Sequence, residues 1–290
     1  MLSIVIPVRD EEEAILEVLR KAAALDLDHE ILVIDDGSRD KTAVIAEESG
    51  ARVIRHPDPA GNGAAIKTGI RAARGDVIVF MDGDGQHDPA EIPALIEALD
   101  GYDMVVGARD LGTASAPGRR WANRFFNLFA SYLAGRHIPD LTSGFRATRR
   151  ERVTPFLPLI PNSFSYTTTL TLSYLRAGYF VKYVPISASR RIGVSKVRPW
   201  LDALRFVAII LVTSTLHAPL RVFFPLSVLS FGLGTAYYFY TWMTDRGVLG
   251  FSIVLWTTSV IILLLGLLSE QLARLSLERL RDPEKGSGLL

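Results

Sequence analysis

The stretch Val77-Ile78-Val79-Phe80-Met81-Asp82-Gly83-Asp84-Gly85-Gln86-His87 joins an apolar run to a turn that is rich in carboxylates. The apolar run, 77–81, is typical of a buried strand. Asp82 and Asp84 follow it with one glycine between them, so their oxygens are expected within one compact turn. Mg²⁺ in proteins prefers one or two carboxylates together with phosphate oxygens. The stretch therefore predicts a strand that ends in a divalent-cation site.

Strand and helix signals alternate over the first part of the chain. Strands are predicted at 2–8, 30–34, 52–55, 77–81 and 104–106, with a further one at 180–186; helices are predicted at 11–25, 41–49, 64–74 and 89–99. This alternation predicts an α/β domain with a mainly parallel sheet and helices on both faces. In such sheets ligands bind beyond the carboxyl ends of the strands. Polar clusters follow several of the predicted strands, so we expect them to converge on one edge.

The acidic turn has rival interpretations. An EF-hand loop needs Gly at its sixth position and Glu at its twelfth. Counted from Asp82, these positions hold His87 and Pro93, so the turn is not an EF-hand loop. An aspartyl nucleophile of the phosphatase type and a simple solvated turn stay open on this motif alone. His87 is consistent either with a ligand or with a local hydrogen-bonding group.

Two further motifs bear on nucleotide binding. Asp35-Asp36-Gly37-Ser38 is typical of an ordinary turn. Beyond the carboxyl end of a strand in an α/β sheet, a carboxylate at this position can also accept hydrogen bonds from the base or ribose of a nucleotide. Gly61-Asn62-Gly63 matches neither GxxxxGK[ST] nor GxGxxG, which disfavours P-loop hydrolysis and hydride transfer.

Composition excludes several classes of protein. Lys and Arg number 32 against 31 Asp and Glu, so no overall field favours nucleic acid. The absence of cysteine excludes disulfides and thiolate metal sites. Ser3-Ile4-Val5-Ile6-Pro7 is too short an apolar run for a secretory signal. The mean hydropathy of +0.23 is high for a soluble protein.

Two apolar segments, 222–242 and 248–268, account for that hydropathy. Each has about the 20 residues that cross a bilayer, so a transmembrane hairpin is predicted, with buried core helices as the alternative. Residues 200–221 are expected to form an interfacial amphipathic helix and 269–290 an amphipathic tail. Basic residues flank the hairpin at both outer ends, which by the positive-inside rule places both termini in the cytoplasm. The basic residues that flank the hairpin are Arg205, Arg221, Arg274, Arg279, Arg281 and Lys285.

Basic residues also lie between the predicted sheet and the hairpin. Arg119, Arg120 and Arg124 belong to a predicted helix, and 190–196 is a basic loop. The loop suits either lipid headgroups or a bidentate clamp on phosphates.

Together these motifs resemble glycosyltransferase family 2, specifically the polyprenyl-phosphate glycosyltransferases that include dolichol-phosphate mannose synthase. The resemblance covers residues 2 to about 200, although Arg9-Asp10 stands where that family usually has Tyr-Asn. The stretches that carry it are 6–12, 33–42, 61–65, 81–87, 107–109, 143–146 and 191–196.

The resemblance implies a GT-A (Rossmann-like) domain over 1–199 and a set of site residues. Asp36 would contact the nucleoside, and Asp82, Asp84 and Gln86 would surround Mg²⁺ or Mn²⁺. The expected catalytic residues, most of them gripping phosphates, are Asp84, Arg109, Arg124, Arg191 and Lys196. The expected donor-binding residues are Pro7, Val8, Arg9, Glu11, Asp35, Asp36, Gly63, Lys67, Asp82 and Gly83.

The predicted activity is inverting, metal-dependent transfer of a hexose from a nucleotide sugar to a dolichyl or undecaprenyl monophosphate. GDP-mannose is the expected donor and UDP-glucose the next. A phosphate acceptor is already ionised near neutral pH, since its second pKa is about 6, so no general base is needed. A multi-pass protein of the inner membrane with its catalytic domain in the cytoplasm is expected; oligomeric state stays open. The alternatives are a glycosyltransferase of the same fold with a hydroxyl acceptor and a non-catalytic nucleotide-binding membrane scaffold.

Overall fold

The structure, a computed structural model, describes residues 1–109, 117–162, 166–187, 218–244 and 250–281. The chain divides into two compact units, Met1–Phe206 and Val207–Leu290.

A seven-stranded sheet forms the centre of the first unit, in the order β3-β2-β1-β4-β6-β5-β7. Every neighbouring pair is parallel except those of β6, which runs antiparallel to both β4 and β5. The prediction of a mainly parallel sheet is therefore confirmed, and β6 is an addition to it. The strands are β1 (Leu2–Val8), β2 (His29–Asp35), β3 (Arg52–Arg55), β4 (Val77–Phe80), β5 (Met104–Arg109), β6 (Arg146–Arg149) and β7 (Val181–Ile186).

Seven helices belong to the described part of this unit. The first begins at Ile15 rather than at the predicted residue 11, and the predicted helix at 89–99 is a 3₁₀ turn, Pro89–Glu91, followed by a short α-helix. A second 3₁₀ segment spans Thr154–Leu159. The helices are α1 (Ile15–Ala23), α2 (Thr42–Glu48), α3 (Asn62–Ala72), α4 (Ile92–Glu97), α5 (Pro117–Ala134), α6 (Arg150–Val153) and α7 (Tyr166–Arg176).

The two faces of the sheet carry separate hydrophobic clusters. On one face Ile4 and Ile6 of β1 pack with α1 and α4, and on the other Val5 packs with α3 and α7. Successive side chains of a strand point to opposite faces, so a run of apolar residues is buried on both. This arrangement confirms the prediction of helices on both faces of the sheet. The polar residues lie at the ends of the strands, outside the two hydrophobic clusters.

The second unit contains two long helices, α8 (Pro219–Met243) and α9 (Gly250–Arg281). Hydrogen bonds join them: Ser259 Oγ donates to the carbonyl of Ser227 at 2.8 Å, and Ser230 Oγ donates to the carbonyl of Leu255 at 2.9 Å. These pairings run in opposite directions along the two helices, as in an antiparallel hairpin. A Cβ at Gly266 would lie 2.6 Å from Phe223 Cβ, so a small residue is needed for this close packing.

The outer surfaces of this hairpin are apolar. Pro219–Met243 and Gly250–Leu275 are long and apolar enough to cross a membrane, with mean hydropathies of 1.4 and 2.4 over their most apolar windows. Only 11% and 17% of those windows is buried, which opposes the alternative of two core helices. We conclude that the second unit associates with a membrane.

The two helices of the hairpin extend beyond the predicted spans, 222–242 and 248–268. The second helix does not end at residue 268 but continues without a break to Arg281, so that part of the predicted tail is not a separate element. Most of the predicted interfacial helix, 200–217, lies outside the described residues.

Candidate active site

The candidate site lies at the edge where β1, β2, β4 and β5 end. Asp82 and Asp84 follow β4, and the backbone N–H of Gln86 donates to Asp84 Oδ1 at 3.1 Å. Asp84 is only 8% exposed, whereas one third of the Asp82 side chain is exposed. A Cβ at Gly83 would lie 2.6 Å from Val8 Cγ1, so this glycine lets the turn pack directly on the end of β1.

The loop before β6 lies against the acidic turn. A Cβ at Gly144 would lie 2.6 Å from Asp82 Oδ2. Because β6 is antiparallel to its neighbours, it begins at the edge where they end, and the preceding loop arrives beside Asp82.

A methyl group at Gly144 is expected to push the Asp82 carboxylate out of position. Overpacking of this kind typically costs about 1–3 kcal/mol, so we expect Gly144→Ala to weaken Mn²⁺ binding by about 10- to 100-fold. Titration of the full-length protein with Mn²⁺ in the presence of a nucleoside diphosphate, followed by electron paramagnetic resonance, measures this. Gly232→Ala in α8 is the control, since nothing lies within 4 Å of a Cβ there. Equal affinities in the two variants would contradict the expectation.

Arg109, at the end of β5, forms an ion pair with the buried Asp140. Its Nε donates to Asp140 Oδ2 at 2.8 Å, and its Nη2 donates to Asp140 Oδ1 at 3.1 Å and to Thr142 Oγ1 at 2.7 Å. Burial alone would lower the pKa of Arg109, but the bonds and charge of Asp140, with the charges of Asp82 and Asp84, raise it above its ordinary value. The guanidinium is thus a fixed cation within the field of the acidic turn.

Asp140 also organises its own loop. Its Oδ1 accepts from the backbone N–H groups of Thr142 at 3.0 Å and Ser143 at 3.1 Å. Burial alone would raise the pKa of Asp140, but the hydrogen bonds and charge of Arg109 lower it below its ordinary value. Asn127 of α5 holds the same loop, since its Oδ1 accepts from the N–H of Leu141 at 3.1 Å.

Arg146, the first residue of β6, is fully buried. It donates to the carbonyls of Ser143 at 2.7 Å, Thr167 at 2.9 Å and Leu141 at 3.0 Å. Burial lowers the pKa of Arg146 from its ordinary value. Two of these carbonyls, those of Leu141 and Ser143, belong to the loop that lies against Asp82, so the hydrogen bonds of Arg146 fix the shape of that loop.

Asp36, after β2, is bound by backbone and by a histidine. Its Oδ1 accepts from the N–H of Ala60 at 2.8 Å and contacts His56 Nδ1 at 2.9 Å, and its Oδ2 accepts from the N–H of Gly61 at 2.8 Å. Burial alone would raise the pKa of Asp36, but these bonds lower it below its ordinary value. Asp36 therefore holds the loop that leads into α3.

Comparison with known proteins agrees with this geometry. Residues 3–153 match glycosyl transferase family 2, and residues 218–275 match the GtrB C-terminal hairpin. The first match covers more than half of the chain.

The chain belongs to glycosyl transferase family 2.

Curated relatives of this family 2 glycosyltransferase include two from Pseudomonas fluorescens, each named undecaprenyl-phosphate 4-deoxy-4-formamido-L-arabinose transferase. That of strain SBW25 is 35% identical over 256 residues, covering 80% of this chain and 69% of the relative. That of strain ATCC BAA-477 is 37% identical over 255 residues, again with 80% and 69% coverage. The resemblance to polyprenyl-phosphate glycosyltransferases is thereby confirmed.

A solved structure shares the fold over most of this chain. Glucosyl-3-phosphoglycerate synthase from Mycobacterium tuberculosis, in complex with Mn²⁺, UDP and glucosyl-3-phosphoglycerate, superposes with a TM-score of 0.60 at 25% identity. The match covers 74% of this chain and 80% of the other. The GT-A prediction is confirmed.

The structure of this glycosyltransferase brings together many of the predicted site residues. Pro7 and Val8 end β1, and Gly63 and Lys67 lie on the first turns of α3, where Lys67 Nζ donates to Asn162 Oδ1. The N–H of Glu11 donates to Thr42 Oγ1 at 2.8 Å, and Asp35 Oδ1 accepts from Ser38. Arg9 is exposed just beyond β1.

The predicted phosphate-gripping residues are only partly described. Arg109 lies beside the acidic turn as expected, and Arg124 is an exposed residue of α5. Arg191 and Lys196 lie outside the described residues, so their roles stay predictions.

The sequence-based prediction missed Asp140 and the role of Arg146. Asp140 carries a recognisable signal, since Asp followed by Thr and Ser two and three residues later is typical of a turn in which the carboxylate accepts backbone N–H groups. Arg146 ends the stretch 143–146 that carries the resemblance, but its structural role has no local signal because its acceptors include groups on α7 as well as carbonyls of the preceding loop.

The donor set of the acidic turn fits a hard divalent cation. Asp82, Asp84 and Gln86 offer oxygen atoms from one turn, and Mg²⁺ or Mn²⁺ accepts such oxygens together with those of a diphosphate. Among the described residues no three His, Asp or Glu side chains form a metal-binding group by themselves. Asp82, Asp84 and Gln86 would supply part of a coordination shell, which suits a cation that is shared with a diphosphate.

Proposed function

We propose that this chain transfers a sugar from a nucleoside diphosphate sugar to a polyprenyl monophosphate at a membrane surface. The observation that carries the proposal is an acidic turn and a fixed arginine at one sheet edge, in a chain that also has an apolar hairpin. The names of the curated relatives support a polyprenyl phosphate as acceptor.

The donor diphosphate is proposed to lie between the acidic turn and Arg109. Asp82, Asp84 and Gln86 would hold a divalent cation, which when bound neutralises diphosphate charge and acts as a Lewis acid on the leaving group. Arg109 is suited to bind a phosphate oxygen because Asp140 fixes its guanidinium in one orientation. A fixed cation loses little entropy on binding, which favours a positioned anion.

The acceptor chemistry needs no protein base. A phosphate monoester has its second pKa at about 6, so its oxygen is already anionic near pH 7. In a single displacement this oxygen forms a bond to the anomeric carbon while the bond from that carbon to the diphosphate oxygen breaks. The nucleoside diphosphate leaves with the electron pair, and the anomeric configuration inverts. Arg124, Arg191 and Lys196 remain candidates for holding the acceptor phosphate.

Asp36 is proposed to shape the nucleoside site through the loop it holds. Its carboxylate binds the N–H groups of Ala60 and Gly61, so the loop and the start of α3 have a fixed position. A direct contact with the nucleoside, as the resemblance implies, would use the remaining acceptor capacity of this carboxylate.

UDP is favoured as the nucleotide. The structural neighbour binds UDP with Mn²⁺, and the curated relatives are named for transfer of a modified arabinose. The expected GDP-mannose and UDP-glucose donors stay in the screen, since the described contacts do not select a sugar. Either Mg²⁺ or Mn²⁺ is proposed as the cation.

The hairpin is proposed to cross the inner membrane twice, with both termini and the catalytic unit in the cytoplasm. Arg221 precedes most of the first span and Arg274 lies near the end of the second. Basic residues at both outer ends favour this orientation.

A donor screen tests the proposal. Full-length protein in nanodiscs with undecaprenyl phosphate is incubated with UDP-4-deoxy-4-formamido-L-arabinose, UDP-glucose, UDP-N-acetylglucosamine or GDP-mannose, each with Mg²⁺ or Mn²⁺. We expect one donor to give a glycosylated lipid phosphate by mass spectrometry, and no product in EDTA. Undecaprenol, which lacks the phosphate, is the matched control acceptor. Product on undecaprenol, or no glycolipid from any donor, would contradict the phosphate acceptor.

A further inference from the structure

His87 is a buried residue for which the proposed reaction has no role so far. It is 4% exposed, and its ring stacks on Phe145 with centroids 5.1 Å apart and an interplanar angle of 14°. Neither Nδ1 nor Nε2 has a hydrogen-bond partner among the residues that the structure describes.

An imidazole in this position is costly. A buried polar group without a partner loses its hydrogen bonds to water and gains none in return, whereas a phenylalanine would stack on Phe145 without this cost. An unpaired buried group in a folded protein therefore calls for a reason, and a role in binding or catalysis is one such reason.

The ring faces the acidic turn. His87 Nδ1 lies 3.9 Å from Asp82 Oδ2, the oxygen that a Cβ added at Gly144 would meet first. The backbone reverses at Gly85, whose φ of 75° is a left-handed conformation suited to glycine, and this reversal brings His87 back towards Asp82. The distance exceeds the usual hydrogen-bond length of about 3 Å by about 1 Å.

We propose that His87 is a positioning residue of the donor site, whose Nδ1–H donates to Asp82 Oδ2 when a divalent cation and diphosphate are bound. The other oxygen of Asp82 is thereby directed to the cation. This inference rests on the proposed function, since it assigns a role within the same site. Groups that hold a metal-binding carboxylate in this way commonly change metal affinity by about 10- to 100-fold when removed.

Direct coordination of the cation by His87 is the competing role. The acidic turn offers hard oxygen donors, which Mg²⁺ and Mn²⁺ prefer to imidazole nitrogen. The observed separation needs only a small movement of one side chain to become a hydrogen bond. We therefore assign His87 to Asp82 rather than to the cation.

Three variants of the full-length protein test the assignment. His87→Asn places an amide N–H near the position of Nδ1, whereas His87→Phe keeps the stacking on Phe145 and has no donor. His87→Leu is prepared in parallel because leucine is smaller than phenylalanine. Mn²⁺ affinity in the presence of UDP is measured by electron paramagnetic resonance, together with the unfolding temperature without ligand.

We expect His87→Phe and His87→Leu to weaken Mn²⁺ binding by about 10- to 100-fold, with unfolding temperatures at or above that of the wild type. His87→Asn should recover most of the affinity, a rescue that a purely structural role does not predict. Unchanged affinity in both apolar variants, or an Asn variant as weak as they are, would overturn the inference.

Pulsed electron paramagnetic resonance separates positioning from coordination. We expect no directly bound ¹⁴N in the Mn²⁺–UDP complex of the wild type; a strong ¹⁴N coupling that ¹⁵N-histidine labelling replaces would overturn the positioning role. The proposed function fails differently. Wild-type protein that binds no Mn²⁺ with either UDP or GDP would remove the donor site, and the role of His87 with it.

Discussion

Asp84→Asn is expected to abolish metal-dependent sugar transfer while the protein still folds. Asp84 is mostly buried at the end of β4, and its Oδ1 accepts from the N–H of Gln86, a bond that the amide oxygen of asparagine can keep. The charge that attracts the cation is lost. A loss of about 4 kcal/mol, within what a metal supplies to such reactions, corresponds to a rate about 10³-fold lower.

Initial rates of glycolipid formation at saturating Mn²⁺ measure this effect. Asp100→Asn is the matched control, because Asp100 is exposed in the turn before β5, at the opposite end of the strand from the site. Circular dichroism establishes that both variants are folded. Turnover of Asp84→Asn within tenfold of the wild type would exclude Asp84 as a cation ligand.

Asp140→Leu is expected to destabilise the first unit strongly. The substitution leaves the mostly buried guanidinium of Arg109 without its carboxylate, and removing one member of a buried ion pair costs about 3–5 kcal/mol. For a unit of this size the unfolding temperature should fall by about 10 °C. Glu47→Gln, which breaks the exposed Arg55–Glu47 pair at 2.9 Å, is the control and should cost less than about 1 kcal/mol.

The double variant Arg109→Met/Asp140→Leu separates stability from activity. Replacing both members of a buried pair by apolar residues is often neutral for stability, but the backbone N–H groups of Thr142 and Ser143 stay without their acceptor, so the unfolding temperature should recover in part. The double variant should still be inactive in sugar transfer, because the guanidinium of Arg109 at the end of β5 is absent. A double variant that regains activity along with stability would show that Arg109 does not act on the donor or acceptor phosphates.

Much of the donor half of the site could be predicted from local sequence. The apolar runs of β1 and β4 are each followed by polar residues, and a parallel sheet necessarily brings such ends to one edge. The apolar segments of α8 and α9 are likewise evident from composition alone. The continuation of α9 to Arg281 is not evident from the sequence, because charged residues such as those after 268 are typical of the end of a membrane span.

The other half depends on contacts between distant residues. Arg146 opens a strand that carries two arginines, so no apolar run marks it, and its burial is possible only because carbonyls from two other segments accept its N–H groups. The pairing of Arg109 with Asp140 joins residues 31 positions apart. The threonines of α7 disfavour a helix by propensity, and packing against the sheet overrides that preference.

The antiparallel strand β6 has a consequence for how this protein can diversify. The chain leaves the sheet at the end of β5 and returns at the start of β6, so both ends of the intervening segment lie at the same edge. That segment can change in length or be exchanged without altering the register of any strand. The proposed donor-binding residues on β1, β2 and β4 lie outside this segment, whereas Asp140 and Gly144, which contact Arg109 and lie beside Asp82, lie within it. A chimera that swaps residues 117–139 between relatives would keep Asp140 and Gly144 in place, and a changed acceptor preference in it would assign acceptor selection to this segment.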